Sequence, residues 1–177
     1  SAGSLAVDTA SETVDGVVEL ATQAEVNAMT DTGRVLTPNH NKIILATPQA
    51  TTSGTAIDFT GIPSGVRRIV LMFAGVSTNG TNEFLVQLGD SGGIESTGYV
   101  GASSDETVSG VYTTGLGIRF VSAATVAQGT IVFSLMDSAA YTWVGSGTVT
   151  DSTSGTTVHS ATQKSLSAVL DRIRLTT

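Results

Sequence analysis

Cysteine is absent from the chain, which excludes a disulfide scaffold and a thiolate metal site and fits folding in a reducing bacterial cytoplasm. Charge is scarce as well. Only 13% of the 177 residues are charged, against an ordinary share of about 25%. Basic residues are the rarer kind: 8 Lys and Arg stand against 15 Asp and Glu, for a net charge of −7. The only close basic pairs are Arg67–Arg68 and Arg172/Arg174, each expected beside a strand or on its solvent face. A phosphate backbone or an anionic membrane surface is therefore not an expected partner. No apolar run approaches the roughly 20 residues of a membrane span; the longest, Ile69 to Val76, contains a glycine and reads as a buried strand. The chain opens without the basic start and apolar stretch of a signal peptide; for a protein that acts outside the cell, release by lysis would explain that. Two histidines, His40 and His159, lie far apart with no carboxylate spacing for a metal, and no cofactor is expected.

What remains is rich in Gly, Ser, Thr, Ala and Val, with 40% hydrophobic residues. Small and β-branched side chains favour strands and tight turns, and their surface is polar without being ionic. Such a composition suits an all-β protein that packs against copies of itself.

Residues 1–44 differ from the rest. Ser1 to Asp8 is weakly patterned and reads as extended, and Thr13 to Leu20 alternates loosely as a short strand. Thr22-Gln23-Ala24-Glu25 matches a capping box, followed by a helix of barely two turns through Met29. Asp31, Gly33 and Pro38 close it. Helices below about 12–15 residues are marginal alone, so this segment needs other protein to bury it. Identical chains are the expected source, with Val14, Val17, Leu20, Val26 and Met29 at the interface.

Residues 45–177 read as β throughout, after a first strand expected over Ile43–Ala46. Ala56–Phe59 is a second strand, Gly61 to Gly65 a turn, and Arg68–Val76 a central strand apolar on both faces. Asn79-Gly80 predicts a hairpin into Glu83–Leu88. Further strands are expected at Thr97–Gly101, around Leu116/Ile118/Phe120, around Ile131/Phe133/Leu135, over Tyr141–Val149 and in Ser165–Thr177, the last with Val169, Asp171, Ile173 and Leu175 on one side. Many short strands without intervening helices predict an antiparallel β-sandwich or jelly roll.

The block from Ala10 to Ala28, continuing through Thr30-Asp31 and Val35-Leu36-Thr37-Pro38, resembles the short repeat of bacteriophage tail-fibre proteins, with Met29 where the family usually has Gly. Residues 57–65, 76–81 and 85–95 resemble the C-terminal domains of phage fibres. The resemblance implies a virion structural protein, a homotrimer attached to tail or capsid proteins, with a head that meets a host surface glycan or protein. Heads of this type often continue past a strand like Arg174–Thr177 into one more, which here is expected to be missing, disordered or supplied by a neighbour. The near alternative is a fibre or decoration on the capsid.

A rival from another class is a serine hydrolase. Gly89-Asp90-Ser91-Gly92-Gly93 matches a nucleophile segment, and Ser91, Asp137 and His159 follow the chain order of an α/β-hydrolase. The elbow needs a helix after the serine, and Gly93–Ser103 has no helical pattern, so a turn capped by Asp90 and Ser91 is the expected structure. A free carbohydrate-binding module would show more aromatics than the 5% present. Tyr99 and Tyr112 are the expected receptor contacts if exposed loops carry them, whereas Trp143 is expected in the core or between subunits.

Overall fold

A computed structural model describes residues 20–28, 35, 43–51, 55–77, 80–120 and 122–177. The chain divides into two units, Ser1–Leu45 and Ala46–Thr177.

In the first unit the capping box forms as the sequence predicts. The Thr22 N–H donates to Glu25 Oε2 at 2.9 Å, and the Glu25 N–H donates to Thr22 Oγ1 at 3.4 Å. The helix that follows, α1, spans Gln23–Ala28. Leu20 forms a parallel bridge with Val35, and the Ala21 N–H donates to the Val35 carbonyl at 3.1 Å. Of the residues expected at an interface, Leu20 is 56% exposed and Val26 half-buried. Val14, Val17 and Met29, and the strand expected before Leu20, lie outside the described residues. Ile43–Ala46 is not a strand; Ile43 is 97% exposed. An apolar run with no neighbouring strand has no ladder for its backbone groups.

The second unit is mainly β and antiparallel, with eleven strands among the described residues. One sheet contains β1 (Ala56–Thr60), β11 (Leu170–Thr176), β3 (Phe84–Asp90) and β4 (Gly93–Ile94) in that order, with β7 (Leu116–Ile118) also paired to β3. The other runs β2 (Arg68–Val76), β8 (Ala127–Asp137), β9 (Thr142–Asp151), β10 (Thr157–Ser165), β5 (Tyr99–Ser104), β6 (Ser109–Tyr112). Alternation places Val86 and Leu88 of the first sheet and Ile131, Phe133, Trp143, Val149 and Val158 of the second in one apolar cluster. Trp143 is thus a core residue.

Several expectations are corrected. Arg68–Val76 is an edge strand, not a central one: its outward Val70 and Met72 face solvent. No hairpin joins β2 to β3, because β2 pairs with β8 and β3 with β11, so the connection passes from one sheet to the other. Val169 is half-exposed, and Leu170 takes the inward place beside Ile173 and Leu175. A register shift between Leu170 and Arg172 leaves Asp171 as the extra residue and reverses the parity. β11 lies between β1 and β3, so both its edges are paired within the chain.

Candidate functional site

Neither tyrosine expected at a receptor loop is exposed: Tyr99 is 2% and Tyr112 9% accessible. Each lies on a strand, and each ring is covered for a local reason. The Tyr112 ring lies against Gly117, where even a Cβ would come within 2.3 Å of it. Its hydroxyl donates to Glu83 Oε2, and Glu83 Oε1 accepts from Arg119 Nη1 at 2.5 Å. Burial first, then the neighbouring Glu83 carboxylate, pushes the Tyr112 phenol up to about 12. Tyr99 reaches from β5 to the backbone of β3, and Lys164 Nζ stands 5.6 Å from its ring centroid.

Lys164 was not singled out by the sequence, yet it is 6% exposed. It pairs with Glu95 and donates to the Ser165 carbonyl at 2.8 Å. Ser167 Oγ joins this group, sharing its single proton between Asp90 Oδ2 at 2.6 Å and Glu95 Oε1 at 2.8 Å. Burial opposes charge on Glu95, but Lys164 and the Ser167 amide hold its carboxyl below the usual range. Ser160 Oγ donates to the Gly117 carbonyl at 2.7 Å. Among the described residues no buried side-chain nitrogen or oxygen lacks a partner. These groups tie strand to strand: Lys164 is paired with Glu95, and Asp90 is held by hydrogen bonds from Ser167 and Gly92.

The Gly-Asp-Ser-Gly-Gly segment is the β3–β4 turn. Asp90 Oδ1 accepts the Gly92 N–H at 2.8 Å, an Asx-type cap, while Ser91 is exposed. The Ser167 hydroxyl and then the Gly92 amide hold the Asp90 carboxyl below its usual range. The two other members of the catalytic order sit on different elements. His159 Nδ1 is 3.1 Å from Thr148 Oγ1 on the outer side of the six-stranded sheet. Asp137 accepts the Ala139 and Ala140 amides at the end of β8. Each of the three has its own local partner or solvent, and no hydrogen bond links them.

A cleft lies elsewhere, where the β5–β6 loop meets the β9–β10 turn. It measures about 280 Å³ and is lined by Asp105, Glu106, Thr107, Ser154, Thr156 and Thr157 among others. The pairing of His159 with Ser104 brings these two loops together. Both loops are preorganised. Asp105 Oδ1 accepts the Thr107 and Val108 amides at 2.7 Å each, which holds its carboxyl below the usual range. Asp151 organises the other loop by accepting the Val126 and Thr153 amides and the Ser154 hydroxyl. Carboxylates and hydroxyls at this density can hydrogen-bond a polyhydroxylated ligand. Neither stretch carries a sequence pattern that singles it out. No three His, Cys, Asp or Glu residues are grouped as a metal site among the described residues. No described helix is long and apolar enough to cross a membrane.

Comparison with protein families, curated proteins and solved structures finds no match to the chain.

Proposed function

We propose that this chain is a virion structural protein, a trimeric phage tail fibre in which residues 1–44 attach and trimerise and residues 45–177 form a β-sandwich head that meets the host surface. Its work is adhesion, not catalysis: three identical heads turn weak receptor contacts into avidity. The observation that carries the reading is the condition of the N-terminal unit. A capping box starts a helix of six residues there, and Leu20, Val35, Ile43, Ile44 and Leu45 are all exposed on the single chain. So short an element gains its stability from burial against other protein, and identical chains provide it without a further component. The resemblance of residues 10–28 to the tail-fibre repeat supports the same arrangement, and the low ionic content of the head suits a rigid, self-packing β unit.

A host glycan would be met at the Asp105–Thr107 and Ser154–Thr157 loops, because Tyr99 and Tyr112 are covered. The test is immunoelectron microscopy of the virions with antibody to this chain. Label at the tail fibres is the expected result. Label on the capsid surface replaces the tail fibre with a capsid-attached fibre, and no label on particles overturns the reading.

A further inference from the structure

The two sheets of residues 46–177 present outward faces of opposite character. On the five-stranded sheet, Arg174 Nε and Nη2 donate to the two oxygens of Asp58 at 2.6 and 2.7 Å, and Arg172 pairs with Asp171 beside them. On the six-stranded sheet the register aligns Val70, Val132, Ser146, Ala161, Ala102 and Val111 in one outward row across all six strands. Val144 and Val100 flank this row on one side and Met72 and Thr130 on the other. Val111 is 82% and Val100 73% exposed. None of the chain's 15 acidic residues lies in these rows, and the one formal charge is Arg68 at a corner.

We propose that a second copy of this chain packs on this face. Charge narrows the choice of occupant. A basic partner would find no carboxylate here and an acidic partner only Arg68 and His159, whereas an uncharged face is matched by its own duplicate. Between molecules that each carry a net charge of −7, this is also a surface where close approach brings no carboxylates together. Shape agrees, because the central row of Val, Ser and Ala leaves a low relief against which another β face can lie at about 10 Å. The area is sufficient. Six strands and three residue rows cover roughly 25 by 20 Å, so a pair buries about 1,000 Å² in all, the lower bound of specific interfaces. The proposal is independent of the virion reading, which places its contacts in residues 1–44.

The absence of cysteine allows single cysteines to report on each face. Ala161→Cys lies in the central row, and Ala56→Cys lies on β1 in the other sheet; both alanines are exposed on the protomer. Maleimide labelling of each full-length variant is measured together with its mass in solution. The expected result is an oligomer in which the thiol at 161 reacts at least about ten-fold more slowly than that at 56. Ala102→Cys, adjacent in the row, gives a second reading should the first substitution disturb the fold. Equal rates at both faces overturn the proposal in any state of assembly. So does a monomer, in which protection would come from the chain's own residues. A trimer with a freely reacting face sinks this proposal and leaves the virion reading standing; a protected dimer does the reverse.

Discussion

Tyr99 on β5 closes a gap in the backbone of β3: the Leu88 N–H donates to its hydroxyl at 2.6 Å, and the hydroxyl donates to the Leu88 carbonyl at 3.4 Å. The gap arises because two short strands share one side of β3. β7 pairs with Phe84 to Val86 and β4 with Gly89 and Asp90, leaving the stretch between without a strand. Tyr99→Phe leaves the Leu88 amide buried without that partner. A loss of about 1–3 kcal/mol is expected in urea denaturation, against a change below about 0.5 kcal/mol for an exposed control such as Ser91→Ala. Equal midpoints for the two variants contradict the stapling role.

Asp151 should tie stability to acid. Burial raises its carboxyl pKa, but the Val126 amide, the Ser154 hydroxyl and the Thr153 amide together hold it down at about 2. A depressed carboxyl contributes stability that is complete above its ordinary value near 3.8 and is lost as pH falls through about 2. Asp151→Asn is expected to cost on the order of 1–2 kcal/mol at neutral pH, a figure discounted because its turn meets solvent. The difference from the parent chain should shrink toward pH 2 in denaturation curves. A difference that stays constant with pH contradicts this.

Glu83 should be visible in the titration of Tyr112. The phenol is pushed up to about 12, by burial first and by Glu83 second. Glu83→Gln removes the second cause and keeps the first, so the tyrosinate absorbance of this residue should appear at lower pH, still above the ordinary 10.0. Comparison with Tyr112→Phe assigns the transition. An unchanged titration would separate Glu83 from the phenol.

Glycine is required at 147 by proximity to another strand. A Cβ there would stand 2.1 Å from the Thr130 carbonyl oxygen and 2.7 Å from Ile131 Cα. Backbone cannot move aside as a side-chain tip can, so Gly147→Ala should cost about 2–3 kcal/mol. Gly61 has φ +72° with open space around its Cβ position, and Gly61→Ala should cost only about 1 kcal/mol from backbone strain. Thermal denaturation that ranks the two the other way contradicts the packing of β8 on β9.

The sequence was legible where local chemistry decided the structure. Thr22 and Glu25 announced the helix start, and the β-branched run Arg68–Val76 announced its strand with the same bounds. β10 was silent because its inward side carries Ser160, Thr162 and Lys164, which bond to Gly117, Val100 and Glu95 far away in sequence and leave no apolar alternation to read. Tyr99 and Tyr112 were placed at loops for a related reason: their neighbours in sequence read as loops or strand ends, while their burial depends on Leu88, Glu83 and Gly117, which the sequence does not mark as partners. The loop cleft was hidden because Thr107 and Thr157 meet only through the pairing of β5 with β10.

The central claim is that three identical chains complete what one leaves exposed, and light scattering of the full chain in solution tests it most directly. The account predicts three protomer masses of 18.0 kDa, or six where two trimers also pair through their six-stranded sheets, unchanged on dilution through the micromolar range. A single protomer mass under those conditions contradicts it.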